Sequence, residues 1–176
     1  MNGIILYKSK YGATKKYAQW LSEDTGFESR EISKVKVSDL SPYDILVFGG
    51  GVYAQGVAGV DFLRKNFNAL SDRKIIVFCD GASPYEKKAF DFIKNRVMKD
   101  ELKDIPFFYC RGGWDMEAMS FVDRNLCKML RKAVAKKDPS EYEVWEAALM
   151  AAGEEKCDWT DRAYLKPILE EIESYR

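Results

Sequence analysis

The sequence predicts an α/β fold built on a doubly wound, five-stranded parallel sheet. Five short apolar runs, "GIILYK", "FESREI", "DILVFG", "KIIVFC" and "PFFYC", are spaced along the first two thirds of the chain. Helical patterns separate them, and alternation of this kind at these lengths is the mark of an open α/β sheet. The first, third and fourth runs are almost continuously apolar, which suits strands covered on both faces. Right-handed crossovers then leave few topologies to consider.

Each element follows in order. The first run begins at Gly3 and leads into a helical pattern with Tyr17, Trp20 and Leu21 on one face. The second, from Phe27, is more polar and alternates, as an edge strand does. The third, from Asp44, precedes a helix marked by Phe62, Leu63 and Phe67. The fourth, from Lys74, precedes "PYEKKAFDFIKNRVMKDEL", where Pro84 is expected near the helix N-terminus. After the fifth run, from Pro106, the pattern changes. A long helix is expected from Asp115 to about Lys137, with Met119, Val122, Leu126, Met129, Leu130 and Val134 spaced by threes and fours. "KKDPSEY" then breaks the chain, "EVWEAALMAAGEE" forms a helix closed by Gly153, and the last helix is capped by Asp158 or Thr160. Two of these three helices exceed what five strands need. Residues 115–157 therefore read as a helical insertion within one domain spanning 1–176.

Composition narrows the function classes. The chain has 176 residues, 47% hydrophobic and 32% charged, enough to bury a core and unlike a disordered or fibrous protein. Lys+Arg and Asp+Glu balance at 28 each, so bulk charge offers no case for nucleic acid. No apolar run is long enough to span a bilayer. The N-terminal apolar segment is too short for a secretory signal, and a cytoplasmic location is expected. The four cysteines, Cys79, Cys110, Cys127 and Cys157, are scattered, without CxxC spacing, and are expected reduced. There is no histidine, which removes histidine triads, most catalytic zinc sites and imidazole relays.

Ligands of open α/β sheets bind outside the carboxyl ends of the strands. After the first strand comes "KSKYGATKK", where Ser9 and Thr14 offer hydroxyls, Gly12 admits close approach, and a helix starting near Ala13 points free N–H groups at the loop. That combination suits a phosphate monoester; the alternative is a plain Ser/Thr helix cap. Lys10, Lys15 and Lys16 lie where they can help neutralise a dianion, or simply face solvent. After the third strand, "GGGVYAQGVAG" places glycines beside Tyr53, which suits a flat ring against the backbone. After the fourth comes "CDGASPYE" and after the fifth "CRGGWD", both small and polar. Cys79 and Cys110, at neighbouring strand ends, read as buried inert thiols. Walker A is absent, and the GxGxxA string at Gly49, Gly51 and Ala54 lacks the acidic partner of a dinucleotide fold. Lys8 and Gly49 stand where a receiver domain needs acids, and no cysteine has an arginine six residues on.

With these loops in view, "SKYGAT" resembles the flavodoxin phosphate loop, [ST]-x-[ST]-G-x-[ST]. It keeps Ser9, Gly12 and Thr14 and departs at Tyr11. The resemblance covers roughly residues 1–113 and the final helix. It implies the flavodoxin strand order 2-1-3-4-5 and FMN as cofactor. The implied phosphate contacts are Ser9, Lys10, Tyr11, Gly12, Ala13 and Thr14. The ring would lie among Gly50, Gly51, Val52, Tyr53 and Ala54, Asp80, Gly81, Ala82 and Ser83, and Gly112, Gly113 and Trp114. "GGGVYAQG", the insertion and the late "DW" resemble, more loosely, the flavodoxin-like branch of quinone-dependent protoporphyrinogen oxidases.

The expected function is an FMN-dependent oxidoreductase passing electrons from an organic substrate to an acceptor such as a quinone. The alternatives are a small electron-transfer flavodoxin docking on a redox partner protein, and a module that kept the fold without the flavin. Charge balance and the insertion favour the first; no side chain stands out as a general acid or base. The basic amphipathic stretch 118–137 carries Arg124, Lys128, Arg131, Lys132, Lys136 and Lys137. It can lie on the inner face of a membrane, dock a partner, or pack as a helix with a solvated face.

Overall fold

Successive residues of a strand point to opposite sides of its sheet, and here both sides are covered. The computed structural model describes residues 1–53 and 56–176. In β1 (Gly3–Lys8), Ile4 and Leu6 enter one core layer with Leu46, Phe48, Ile75 and Val77. Ile5 enters the other with Val47, Ile76 and Phe78. The first layer is closed by α2 (Val60–Leu70) and α3 (Lys87–Val97), through Leu63, Leu70 and Val97. The second is closed by α1 (Ala13–Thr25) and α6 (Lys166–Ser174), through Tyr17, Leu21, Ile168 and Ile172. Burial on two faces is the reason these strands read as unbroken apolar runs.

The strands are β2 (Glu28–Glu31), β1, β3 (Ile45–Tyr53), β5 (Lys74–Gly81) and β6 (Phe107–Arg111), parallel and in that spatial order. Counted as five strands this is the expected 2-1-3-4-5 arrangement, with the polar second strand at the edge. A short strand, β4 (Gly56–Val57), folds back antiparallel on the end of β3. A separate two-stranded piece joins β7 (Gly113–Trp114) to β8 (Cys157–Asp158).

Several expected boundaries move. The third strand does not stop at Gly49 but runs on to Tyr53, so Gly50 to Tyr53 are strand rather than loop. Gly49, Gly50 and Gly51 stay in register with Phe78, Cys79 and Asp80 of β5. A Cβ at Gly49 would overlap the Phe78 ring, and one at Gly50 the Ala58 carbonyl oxygen. Glycine is required there for close internal packing. Pro84 lies ahead of α3, which starts three residues later at Lys87. The long helix is shorter than the expected 115–137: α4 spans Phe121–Val134, with Ser120 as N-cap accepting from the Asp123 N–H at 3.2 Å. α5 (Val144–Ala152) ends at Gly153 as expected, with φ 58°. The last segment opens with a single 3-10 turn, Arg162–Leu165, capped by Asp161 rather than Asp158 or Thr160. Asp158 is occupied by Lys16 and by Thr160.

Candidate functional site

β1 brings the chain to the carboxyl edge of the sheet, and Gly12 turns it into α1. Gly12 is the N-cap, with φ 101°, a left-handed conformation that glycine adopts without steric cost. A Cβ there would meet nothing within 4 Å, so only the backbone conformation, not crowding, selects glycine. The Gly12 N–H donates to Ser9 Oγ at 3.0 Å, and no side chain caps α1. The plain Ser/Thr cap is therefore not what these hydroxyls form. The first-turn amides of Ala13, Thr14 and Lys15 have no intrahelical acceptor, and they sit at the positive end of the helix.

Thr14 is where the expectation of a hydroxyl-lined cradle changes. Its side chain is buried, and its Oγ1–H donates to Asp80 Oδ1 at 2.5 Å, across the sheet edge at the end of β5. Of the two expected hydroxyls, Ser9 alone can donate outward; Thr14 offers its amide. Asp80 is only 7% exposed. Burial raises its pKa from 3.8 to about 6, against the opposing effect of the Thr14 bond. A Cβ at Gly112 would come within 2.8 Å of Asp80 Oδ2 and 3.4 Å of Ala13 Cβ. The ends of β5, β6 and the start of α1 thus meet at one point.

The lysines are engaged elsewhere. Lys10 Nζ and the Tyr11 hydroxyl both donate to Asp123 Oδ2 in the first turn of α4. Tyr11 OH also accepts from the Ser120 N–H at 3.3 Å. The Lys10 hydrogen bond, then that of Tyr11, holds the Asp123 carboxyl below its ordinary pKa, and the same contact raises Lys10. Lys16 pairs with Asp158 at 2.7 Å, which with Thr160 brings Asp158 down to about 2. The side chains of Lys10 and Tyr11 thus face the helical insertion, and Lys15 is exposed.

Four of the expected ring-side residues border a groove of about 1110 Å³; Gly50, Gly51, Tyr53, Asp80, Gly112, Gly113 and Trp114 do not line it. Val52, Gly81, Ala82 and Ser83 form one wall, with Tyr85 and Tyr109; Glu143, Val144 and Trp145 come from the start of α5. The loop after β5 is pinned through three successive carbonyls. Gly112 N–H donates to Gly81 O at 2.7 Å, Arg111 Nε–H to Ala82 O at 3.1 Å, and Tyr109 OH to Ser83 O at 2.6 Å. Arg111 is itself stacked on Trp159 at 4.2 Å. Tyr53 folds back over Gly51, where a Cβ would sit 3.0 Å from its hydroxyl. Burial first, and then the Asp80 charge, pushes the Tyr53 hydroxyl up to about 12.

Of the expected fifth-strand residues, Gly112 reaches the Asp80 corner. Gly113 and Trp114 pair with β8, and the Trp114 indole N–H donates to Gly153 O at 3.1 Å. Trp114 instead lines a smaller cavity of about 160 Å³ with Ala82, Trp145 and Trp159. Ala54 lies outside the described residues. Asp123, Ser120, Tyr109 and Trp145 are site-building residues that no loop motif signals, because each acts from another element, while Arg111 lies within the quoted "CRGGWD" loop without being singled out there. Among the described residues no cluster of acidic or cysteine side chains could hold a metal ion, and no helix is long and apolar enough to cross a membrane.

The geometry can be set beside known proteins. A 118-residue stretch is 26% identical to an uncharacterized protein of Methanocaldococcus jannaschii, covering 64% of this chain and 76% of that one. Among solved structures, a flavoprotein in complex with FMN from Lactobacillus acidophilus NCFM is 18% identical, with a TM-score of 0.42 over 62% of this chain and 91% of that one. A flavodoxin from the domain Archaea is 15% identical, with a TM-score of 0.39 over 74% of this chain and 93% of that one. The flavodoxin domain model matches residues 4–142, from β1 into the insertion and well over half of the chain. This chain belongs to the flavodoxin domain family.

Proposed function

We propose that this chain binds FMN and acts as a flavodoxin-domain oxidoreductase, moving electrons between an organic substrate and an acceptor such as a quinone. One observation carries the reading: two adjacent residues at the end of β5 join an anion site to a groove. Asp80 touches the first turn of α1 through Thr14, and its neighbour Gly81 lines the groove. A ligand with phosphate at one end and a flat ring at the other matches that layout, and the family supports FMN in particular.

The residues present fit the group. Ser9 Oγ–H and the amides of Ala13, Thr14 and Lys15 would hold the phosphate, a pattern that uncapped helix N-termini favour. Gly81, Ala82 and Ser83 would lie along the ring, and Val52, Tyr85, Tyr109 and Trp145 would shield it from water. FMN would supply the hydride and electron transfer, which the protein tunes by orientation and local charge. Asp80 joins the ring-side loop to the first turn of α1 through Thr14, and burial raises its pKa to about 6.

The groove favours an enzyme over a bare carrier. At about 1110 Å³ it lies just above the roughly 300–1,000 Å³ usual for small-molecule sites, and the insertion supplies one wall. That wall is also what supports the narrower likeness to quinone-dependent protoporphyrinogen oxidases. The test is direct. The purified protein should be yellow, release FMN on denaturation, and be reduced by a porphyrinogen and reoxidised by a quinone analogue. A colourless protein that takes up no added FMN would overturn the cofactor assignment. Bound FMN without turnover of any organic donor would make the chain a carrier.

A further inference from the structure

Helix α4 is amphipathic, yet its apolar face points away from the core. Phe121 is 79% exposed, Met129 68%, Val122 64% and Leu126 57%. In a helix the residues at 122, 126 and 129 share one side, with Leu130 beside them. Only Val134 of this helix is buried. A row of large apolar side chains left in water on one helix face marks an interaction surface.

The charges around that row decide what fits it. The chain is neutral overall, but between Phe121 and Lys137 there are six basic residues and one acidic residue. That acid, Asp123, is turned inward onto Lys10 and Tyr11. Arg124 is also spent internally, donating to the Met116, Glu117 and Met119 carbonyls and anchoring the helix start. Arg131 and Lys137 approach Glu154 and Glu146. Lys128, Lys132 and Lys136 have no ion-pair partner among the described residues, and all three are exposed.

We infer that α4 docks this protein on an anionic bilayer surface, with the exposed apolar row inserted at the headgroup boundary and the lysines on acidic lipid. A second copy fits less well, because the same face on a symmetric partner would oppose like charges. A bilayer takes up both features, since apolar burial and attraction to acidic lipid act together on interfacial helices. The helix start is tied to the candidate phosphate loop through Asp123 and Ser120. On the flavin reading, docking would bring the groove close to an acceptor dissolved in the membrane; lipid binding itself does not rest on that reading.

Vesicle flotation tests the inference with the full chain, with or without flavin. The wild-type protein should float with phosphatidylcholine vesicles containing phosphatidylglycerol and not with phosphatidylcholine alone, and salt should weaken the binding. Lys128→Gln with Lys132→Gln should weaken partition roughly 30-fold, at about fivefold per lysine. Leu126→Gln with Met129→Gln should weaken it by about tenfold or more. All four positions are exposed, so circular dichroism should be unchanged. Three results would overturn the inference: no flotation at low salt, flotation that neither variant affects, or a concentration-dependent dimer that Leu126→Gln/Met129→Gln dissolves. FMN binding that persists when flotation fails would sink this inference alone.

Discussion

Replacing Asp80 by asparagine should stabilise the chain at neutral pH and do nothing in acid. Asp80 lies 7% exposed with one hydrogen bond, from Thr14. Asparagine keeps the Oδ1 acceptor for that bond and removes the charge. Burial raises the pKa from 3.8 to about 6 in the folded state, so the folded protein favours the neutral acid. Well below pH 3.8 the group is protonated whether folded or not, and its contribution is fully present. As pH rises through 6, the folded state must accept a buried carboxylate, and that contribution is lost. The gap between 3.8 and about 6 corresponds to an upper figure of about 3 kcal/mol. At about 2–4 °C per kcal/mol for a chain of this size, the variant should melt some 6–12 °C above wild type at pH 7.5. At about pH 3 the two should coincide. Asp158 and Asp123, whose pKa values are lowered, push the total profile the other way, so the difference between variant and wild type isolates Asp80. The assay is a pair of thermal melts of the flavin-free protein at each pH. An equal shift at both values, or a less stable variant at pH 7.5, would refute the reasoning.

Three other outcomes follow from the same geometry. Gly12→Ala forces a φ of 101° on a residue with a side chain, and should cost about 1–2 kcal/mol and weaken FMN binding in a flavin-fluorescence titration, although no atom is crowded. Asp123→Asn weakens the hold on Lys10 and frees it toward the candidate anion site, so FMN should bind more tightly, and by less in high salt, in the same titration. A native-state thiol titration should modify Cys127 and Cys157 and spare Cys79 and Cys110, which are fully buried and whose thiol pKa values burial raises; fast modification of all four would contradict the packing of the sheet.

The strand order and the layering were legible because two-sided burial leaves a simple record, an unbroken apolar run for each central strand. The glycines after β3 were legible as a place of close approach, but not what approaches. Gly49 is bounded by a phenylalanine 29 residues away and Gly50 by the hairpin carbonyl of Ala58. A loop and a strand extension look alike when three glycines hide the alternation. Helix boundaries in the insertion slipped because the apolar spacing from Met119 continues past the turn that Arg124 holds in place.

By itself the sequence determined a glycine turn between a buried strand and a helix, with small residues on either side of it. Those are local properties, set by the backbone freedom of Gly12 and by the start of a helix that no side chain caps. What each polar group in the turn is bound to was decided only by tertiary structure. Thr14 reaches Asp80 over 66 positions, and Tyr11 and Lys10 reach Asp123 over more than a hundred. Hydrogen bonds and ion pairs form between groups that the fold brings within about 3 Å, whatever their separation along the chain. No spacing rule could have told that one hydroxyl would turn inward, or that an inserted helix would hold the loop while presenting its apolar face to the outside.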